Sequence, residues 1–321
     1  MEVATLKNWE DLKKISNSSN TKLVDHIKSN ELDNFIQSQI NSVNHIPYDL
    51  RKNYYKKIAE GIQLWKDKRV IFCGLARNCE SKIDTNMHLI NKISNYFKDY
   101  KIIIFENNSS DNTKSKINNH AKINSKLIKI GNDDGEEFLS GLEESRIIRM
   151  SKYRSKIQEY IKDNYTEYDY VILLDFDIKT WSIEGILTSL AWHDFDVMGS
   201  VSLGFGPYSQ SYDGWTHYDR WAFKFHSWTE EFSIDQSILR WFNLWKPPVG
   251  GKPIQCLSVF GGLAIYKMEA YLAGEYGSRH PKELGNITCV EHAQFHYSMN
   301  QKGYDKIYLN PSQRSIIYVK V

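Results

Sequence analysis

At 321 residues the chain has room for one large domain or two smaller ones. Its 41% hydrophobic and 25% charged residues, with 18 Gly and 7 Pro, exclude collagenous, low-complexity and disordered chains. Its 41 Lys and Arg nearly cancel 39 Asp and Glu, and no basic stripe stands out, so nucleic acid is not an expected partner. Residues 1–66 contain no strand-like run; LVDHIKSNELDNFIQSQI and NYYKKIAEGIQLWKD space apolar residues three and four apart, which predicts a helical N-terminal extension. From Arg69 the pattern changes: RVIFCGL reads as a buried strand, 81–97 as a helix and KIIIFE as a second strand. A further helix, a short strand in KLIKI, a long helix over 138–165 and a strand in YVILLD follow. Strands alternating with helices need crossover connections. The expected architecture is therefore α/β, a Rossmann-like, mostly parallel central sheet with helices on both faces and ligands beyond the carboxyl ends of the strands.

No apolar run approaches the roughly 20 residues a membrane helix needs. The N-terminus MEVATLKNWEDLKK also lacks the basic-then-apolar layout of a signal peptide, so the expectation is a cytoplasmic chain with no transmembrane segment. Cys73, Cys79, Cys256 and Cys289 form no C-x-x-C pair and are expected to be reduced thiols.

Two strand ends carry chemistry. After KIIIF comes Glu106-Asn107-Asn108-Ser109-Ser110-Asp111-Asn112-Thr113, where a strand-closing carboxylate can accept hydrogen bonds from a nucleobase or ribose. The bland alternative makes Ser110 or Asp111 an ordinary helix cap. YVILL ends in Asp175-Phe176-Asp177, and acids at i and i+2 turn to one side of an extended backbone. Two adjacent anions call for a cation. A hard divalent ion held by one or two carboxylates, and otherwise by water and phosphate oxygens, suits such a site and brings a nucleoside diphosphate with it.

Seven of the nine tryptophans lie between Trp181 and Trp245, together with Tyr208, Tyr212 and Tyr218. Aromatic faces with polar handles suit sugar rings, although core packing accounts for many Trp residues as well. GFGPYSQSYDG, over 204–214, has the composition of a loop and is a candidate lid. Farther on, His292 and His296 share one helical face, but no Glu stands between them as in the zinc-peptidase motif.

The succession ARN, FENNSSDNT, a helix bearing Arg146, Arg149 and Arg154, and LLDFD resembles the nucleotide-sugar half of GT-A fold glycosyltransferases, the second motif being similar to the family 2 pattern DNxSxDxT with Glu106 in place of its first Asp. Tyr218-Asp219-Arg220-Trp221-Ala222, Phe260-Gly261-Gly262-Leu263-Ala264-Ile265-Tyr266 and Cys289-Val290-Glu291-His292 resemble the capsule-associated mannosyltransferase family, family 69. The resemblance covers 69–320 and implies a catalytic domain over 67–321, with a nucleotide-sugar-binding half over 67–180 and an acceptor-binding half over 181–321. It implies that Ala76, Arg77, Glu106, Asp111, Arg154, Asp175 and Phe176 bind the nucleotide sugar, Glu106 at the base or ribose and Arg154 near the diphosphate. It further implies that Asp177, Asp175 and either His292 or His296 hold Mn2+ or Mg2+. Glu291 would serve as base in an inverting reaction, and Glu291 or Asp219 as stabiliser in a retaining one. Trp215, Tyr218 and Trp221 are the acceptor candidates.

The implied partners are a UDP- or GDP-linked sugar and a glycan acceptor. The N-terminal helices are open to packing on the catalytic part, self-association or membrane contact, the last disfavoured by mixed charge. Two rival classes remain at the level of sequence: a glycosidase, whose carboxylates must flank the scissile bond about 5–9.5 Å apart, and a non-catalytic carbohydrate-binding protein.

Overall fold

The computed structural model describes residues 29–133, 143–192, 194–206, 214–228, 243–279, 284–285 and 288–319. Two helices, α1 (Ser29–Val43) and α2 (Tyr48–Trp65), precede the sheet. The chain then alternates through β1 (Arg69–Ala76), α3 (Glu80–Ile93), β2 (Asp99–Glu106), α4 (Thr113–Ile123), β3 (Leu127–Ile130), α5 (Glu144–Asn164) and β4 (Tyr170–Leu174). The second part contains β5 (Thr180–Trp181), α6 (Ile183–Ser189), β6 (Val197–Phe205), β7 (Trp215–His217), β8 (Ile254–Gln255), β9 (Leu263–Lys267), α7 (Met268–Ala273), α8 (Glu291–Asn300) and β10 (Ile307–Val319).

One ten-stranded sheet runs in the order β3-β2-β1-β4-β9-β6-β10-β5, with β7 added beside β6 and β8 beside β10. Six strands, β1 to β4, β6 and β10, share one direction and the other four oppose them, in line with the expected α/β architecture. The chain builds outward from β1 to β3 and then returns to place β4 on the other side of β1, so the strand order reverses between β1 and β4. Crevices open beyond the carboxyl ends at such a reversal. Both sheet faces are buried: Val70 and Phe72 of β1 point into one core and Ile71 and Cys73 into the other, as the two-residue period of a strand dictates.

The expected long helix over 138–165 is described from Glu144, and residues 138–142 lie outside the described residues. β6 and β9 went unread as strands. Gly199, Ser200, Ser202 and Gly204 give β6 little strand propensity, yet every residue of it is buried. β10 runs through Pro311 with a register shift between Asn310 and Arg314, which is where a strand can tolerate proline.

The described part of the N-terminal extension is packed onto the sheet domain. Trp65 is fully buried, lies edge-on to Phe97 and Tyr170, and donates from Nε1 to the Ile186 carbonyl at 3.3 Å. α2 and α6 touch backbone to backbone at Gly61, where a Cβ would come within 1.7 Å of the Leu187 oxygen. Arg314 of β10, 4% exposed, donates to the carbonyls of Val43, Pro247 and Pro311 and so ties the end of α1 to the sheet. Trp65→Ala is expected to cost about 3–5 kcal/mol of stability through cavity formation, read as a lower urea midpoint with unchanged slope.

Candidate active site

The DFD turn is fixed from three sides. Phe176 N donates to the Leu75 carbonyl at 3.2 Å and Asp175 N to the Gly262 carbonyl at 2.9 Å, joining the end of β4 to β1 and β9. Gly74 makes the close approach possible, because any Cβ there would sit 1.7 Å from the Leu174 oxygen. From behind, the fully buried amide of Asn86 on α3 donates to the carbonyls of Phe176 and Ile178 at 3.2 and 3.1 Å and accepts from Trp181 Nε1 at 2.9 Å. With Phe176 sunk in the core, Asp175 and Asp177 face the crevice.

The two acids line two adjoining chambers. One, of about 160 Å³, is walled by Leu75 and Ala76 at the end of β1 and Arg77 just after it, Asn107 after β2, and Arg146, Arg149, Met150 and Tyr153 on α5. These α5 positions, at i, i+3, i+4 and i+7, form one helical face. The other chamber, of about 170 Å³, shares Asp175, Asp177, Arg146 and Met150 and adds Asp219, Glu291 and His292, with Tyr218, Trp221 and Phe260 as aromatic walls.

Arg154 lies beneath both acids at 1% exposure. Its Nη2 donates to Asp175 Oδ1 at 2.9 Å and its Nε to Glu291 Oε1 at 3.1 Å, and the guanidinium lies 5.2 Å from the Phe260 ring centre. Burial works against its charge, but Asp175 and Glu291 outweigh that and hold it protonated. Asp177 is an exposed residue on the wall of both chambers. Crowding of its carboxyl by the surrounding protein, and then the charge of Asp175, raise its pKa above the usual aspartate value. Asp219 is pushed up to about 6 by desolvation and by Asp175 and Glu291, against a hydrogen bond from Gly261 N to Oδ2 at 2.8 Å. That amide is aimed by a left-handed turn, φ +68° at Gly261, which favours glycine.

His292 stacks on Phe260 with ring centres 3.8 Å apart, and burial keeps it neutral, with its pKa well below the ordinary value. Both of its ring nitrogens are buried without a hydrogen-bond partner, and Nε2 lies 3.8 Å from Glu291 Oε1. A neutral imidazole with an orphaned lone pair, in a chamber with Asp175 and Asp177, fits a divalent ion. Among the described residues no three His, Cys, Asp or Glu side chains converge closely enough to hold an ion by themselves. Water and phosphate oxygens would supply the remaining positions.

Several expected site residues stand elsewhere. Glu106 is fully buried: one oxygen accepts from Ser109 N at 3.2 Å and the other lies 3.8 Å from Lys129 Nζ, so its neighbour Asn107 lines the crevice instead. Asp111 accepts from Thr113 N and Glu80 N at 3.0 Å each, stitching two loops together, while Asn112 takes the helix cap position that the bland reading gave to Ser110 or Asp111. Phe176 and Trp215 are core residues, Trp215 being 1% exposed and packed on Phe205 with ring centres 5.1 Å apart. His296 is fully buried, with its nitrogens bonded to the hydroxyls of Ser258 and Tyr266 at 2.8 and 3.0 Å, which removes it from the metal set. Arg154, implied near the diphosphate, lines the second chamber, where Nη2 and Nε bind two carboxylates and Nη1 is buried without a hydrogen-bond partner. Ala76, Arg77, Asp175, Asp177, Asp219, Glu291, His292, Tyr218 and Trp221 all line the two chambers. Within the candidate lid, 207–213 lies outside the described residues. Arg146, Arg149, Asn107 and Tyr153 were not singled out as contacts; the helical spacing on α5 was the available signal for three of them.

No protein-family model and no curated protein sequence matches the chain. Among solved structures it is similar to GalNAc-T7 with UDP, GalNAc and Mn2+, at 15% identity over 79% of this chain and a TM-score of 0.45. The chain spans 44% of that protein's length. It is also similar to the mannosyltransferase PcManGT from Pyrobaculum calidifontis in complex with GDP-Man and Mn2+, at 11% identity over 86% of this chain and 68% of that one, TM-score 0.42. Glucosyl-3-phosphoglycerate synthase from Mycobacterium tuberculosis with UDP matches at 12% identity over 82% and 75%, TM-score 0.42. At these scores the likeness carries no argument about chemistry, which rests on the residues of the cleft. Among the described residues no helix is long and apolar enough to cross a membrane.

Proposed function

We propose that the chain is a metal-dependent glycosyltransferase of GT-A type that moves a sugar from a nucleoside diphosphate to a glycan hydroxyl. The observation that carries this reading is the position of Asp175 and Asp177 at the junction of two chambers, one bordered by three arginines and the other by acids and aromatic rings. Arg77, Arg146 and Arg149 provide charge for the diphosphate, Asn107 and Tyr153 lie at the nucleoside side, and Asp177 and Asp175 would hold the ion, with His292 on the wall of the same chamber and water and phosphate oxygens filling the remaining positions. Bound there, Mn2+ or Mg2+ would neutralise charge on the departing diphosphate.

Tyr218 and Trp221 offer ring faces to the acceptor. In a direct displacement Asp219 takes the proton from the acceptor hydroxyl, the oxygen bonds to the sugar's anomeric carbon, and the bond from that carbon to the phosphate oxygen breaks with its electron pair going to the diphosphate. Glu291, tied to Arg154, lies on the wall of the chamber that would receive the acceptor.

The test is a thermal-shift panel of UDP- and GDP-sugars with and without Mn2+, where a ligand at 100 times its Kd adds about 2.7 kcal/mol. No nucleotide-dependent shift in any condition would reject the reading. The role of Asp219 predicts a pH limb. In saturating Mn2+, which keeps Asp177 ionised, kcat/KM should rise as the pH passes about 6 and Asp219 loses its proton. Asp219→Asn should slow transfer by about 10²–10⁴-fold and abolish that limb.

A further inference from the structure

Behind the cleft, where α1 and α2 meet the β5–β10 edge of the sheet, lies a cavity of about 260 Å³. Successive residues of a strand point to opposite faces. Along β10, Ile317 borders the second chamber of the cleft whereas Ile316 and Arg314 border this cavity, so the two spaces stand back to back. Helices ordinarily bury an apolar stripe, yet this lining brings Gln37, Asn41 and Asn44 together with Thr180, Ser182 and Ser312.

Among the described residues, three polar groups of the lining have no partner. Asn44 Oδ1 is buried without a hydrogen bond. Tyr54 is 5% exposed and its hydroxyl bonds to no described residue, while the exposed Glu184 forms no ion pair. A buried polar group left unbonded is costly, so an occupant that bonds these groups is expected. It has to give and take hydrogen bonds, because Asn44 Oδ1 and Glu184 accept and a phenol does either. An anion accepts only, and it meets Glu184. The cation of the lining, Arg314, is not free to offset that, since Nε, Nη1 and Nη2 already donate to the carbonyls of Pro311, Val43 and Pro247. A metal ion finds one carboxylate and no imidazole or thiolate. Sugar hydroxyls both donate and accept, and the rings of Tyr54 and Trp181 offer apolar surface to a sugar's C–H groups.

We propose that this cavity is a second binding site, separate from the cleft, that holds one uncharged sugar unit between the N-terminal helices and the sheet. Its volume lies below the roughly 300–1,000 Å³ of sites for drug-sized ligands, which limits the occupant to about one ring. The site stands whether or not the cleft transfers a sugar, because none of the three unpartnered groups borders either chamber.

The experiment titrates the full chain calorimetrically with glucose, mannose, galactose and N-acetylglucosamine, with their methyl glycosides, and with inorganic phosphate as the anionic probe. Saturable binding of at least one neutral sugar, weakened at least tenfold by Asn44→Leu and severalfold by Tyr54→Phe, is the expected result. A methyl glycoside that binds as well as its parent assigns the site to the end of a glycan, and one that does not assigns it to a free sugar. Tyr54→Phe deletes an unpartnered hydroxyl and keeps the ring, so without sugar its urea midpoint should match or exceed the parent's, and its loss of binding is then no folding defect. Absence of saturable binding by every sugar overturns the proposal and leaves the cavity to water. Sugar binding that survives both substitutions overturns it as well, by placing the sugar elsewhere, and so does phosphate binding that either substitution abolishes. Both variants should keep the nucleotide-dependent thermal shift of the cleft, so failure here leaves the glycosyltransferase reading untouched.

Discussion

Asp177→Ala is expected to abolish the Mn2+-dependent thermal shift and to lower kcat/KM by on the order of 10³-fold, about 4 kcal/mol of transition-state stabilisation. Core packing does not account for this exposed carboxylate, and the protein's own cations, Arg154 and Arg146, offset only part of the rise in its pKa. Arg154, the buried cation beneath the acids, is bonded to Asp175 and Glu291. Desolvation and the Asp175 charge raise the Asp177 pKa, so the folded apo protein binds this proton more tightly than the unfolded chain does. The sign of the stability effect follows. A carboxyl whose folded pKa lies above its unfolded value binds its proton more tightly in the native state, and its contribution is lost as pH rises through the folded pKa. At neutral pH, without metal, Asp177→Asn should therefore be at least as stable as the parent, and the difference should vanish in acid below the unfolded aspartate pKa, ~3.9. Urea midpoints at the two pH values check this, beside turnover with and without Mn2+. A variant that unfolds easily or turns over at the parent rate would assign the residue to structure instead.

The difference between what was legible in the sequence and what was not lies in burial. The β1-to-β4 alternation was visible because each strand there is a run of β-branched and aromatic residues, and the DFD acids were visible because a carboxylate pair at the end of an apolar strand has few other reasons to exist. β6 was hidden by its glycines and small polar residues and β9 by its length of only five residues; both fold as strands in the middle of the sheet, largely covered on both faces. Motif analogy placed Glu106, Asp111, Phe176 and His296 in the site by spacing alone. Spacing does not report whether a side chain turns out to the crevice or back under its own loop, and in Glu106 the Ser109 amide and Lys129 decide for the latter. Asn86 shows the opposite failure: nothing in its neighbourhood of sequence marks it, and its role exists only because α3 brings a buried amide against the DFD turn from 90 residues away.

Arg154→Met should be among the most destabilising single changes in the chain, at about 3–5 kcal/mol, because removing one member of a buried ion pair strands the others. Glu291, 6% exposed, accepts from Arg154 Nε, and Asp175, on the other side of the same guanidinium, accepts from Nη2. The planar fork lets one residue of α5 hold an acid at the end of β4 and another at the start of α8 at fixed separation. Lysine keeps the charge but presents a single point, so Arg154→Lys should retain more stability than methionine while still losing the geometry. Packing and charge can be separated by a double-mutant cycle. If stranded charge is the cause, adding Glu291→Gln to Arg154→Met should recover part of the lost stability, whereas independent packing defects would add. Loss of Arg154 should lower kcat for a second reason, since it frees the side chains on which donor and acceptor chambers meet, and the variant's urea midpoint and its kcat then move together. An Arg154→Met protein with the parent's urea midpoint would show that the two carboxylates are held by something other than this guanidinium.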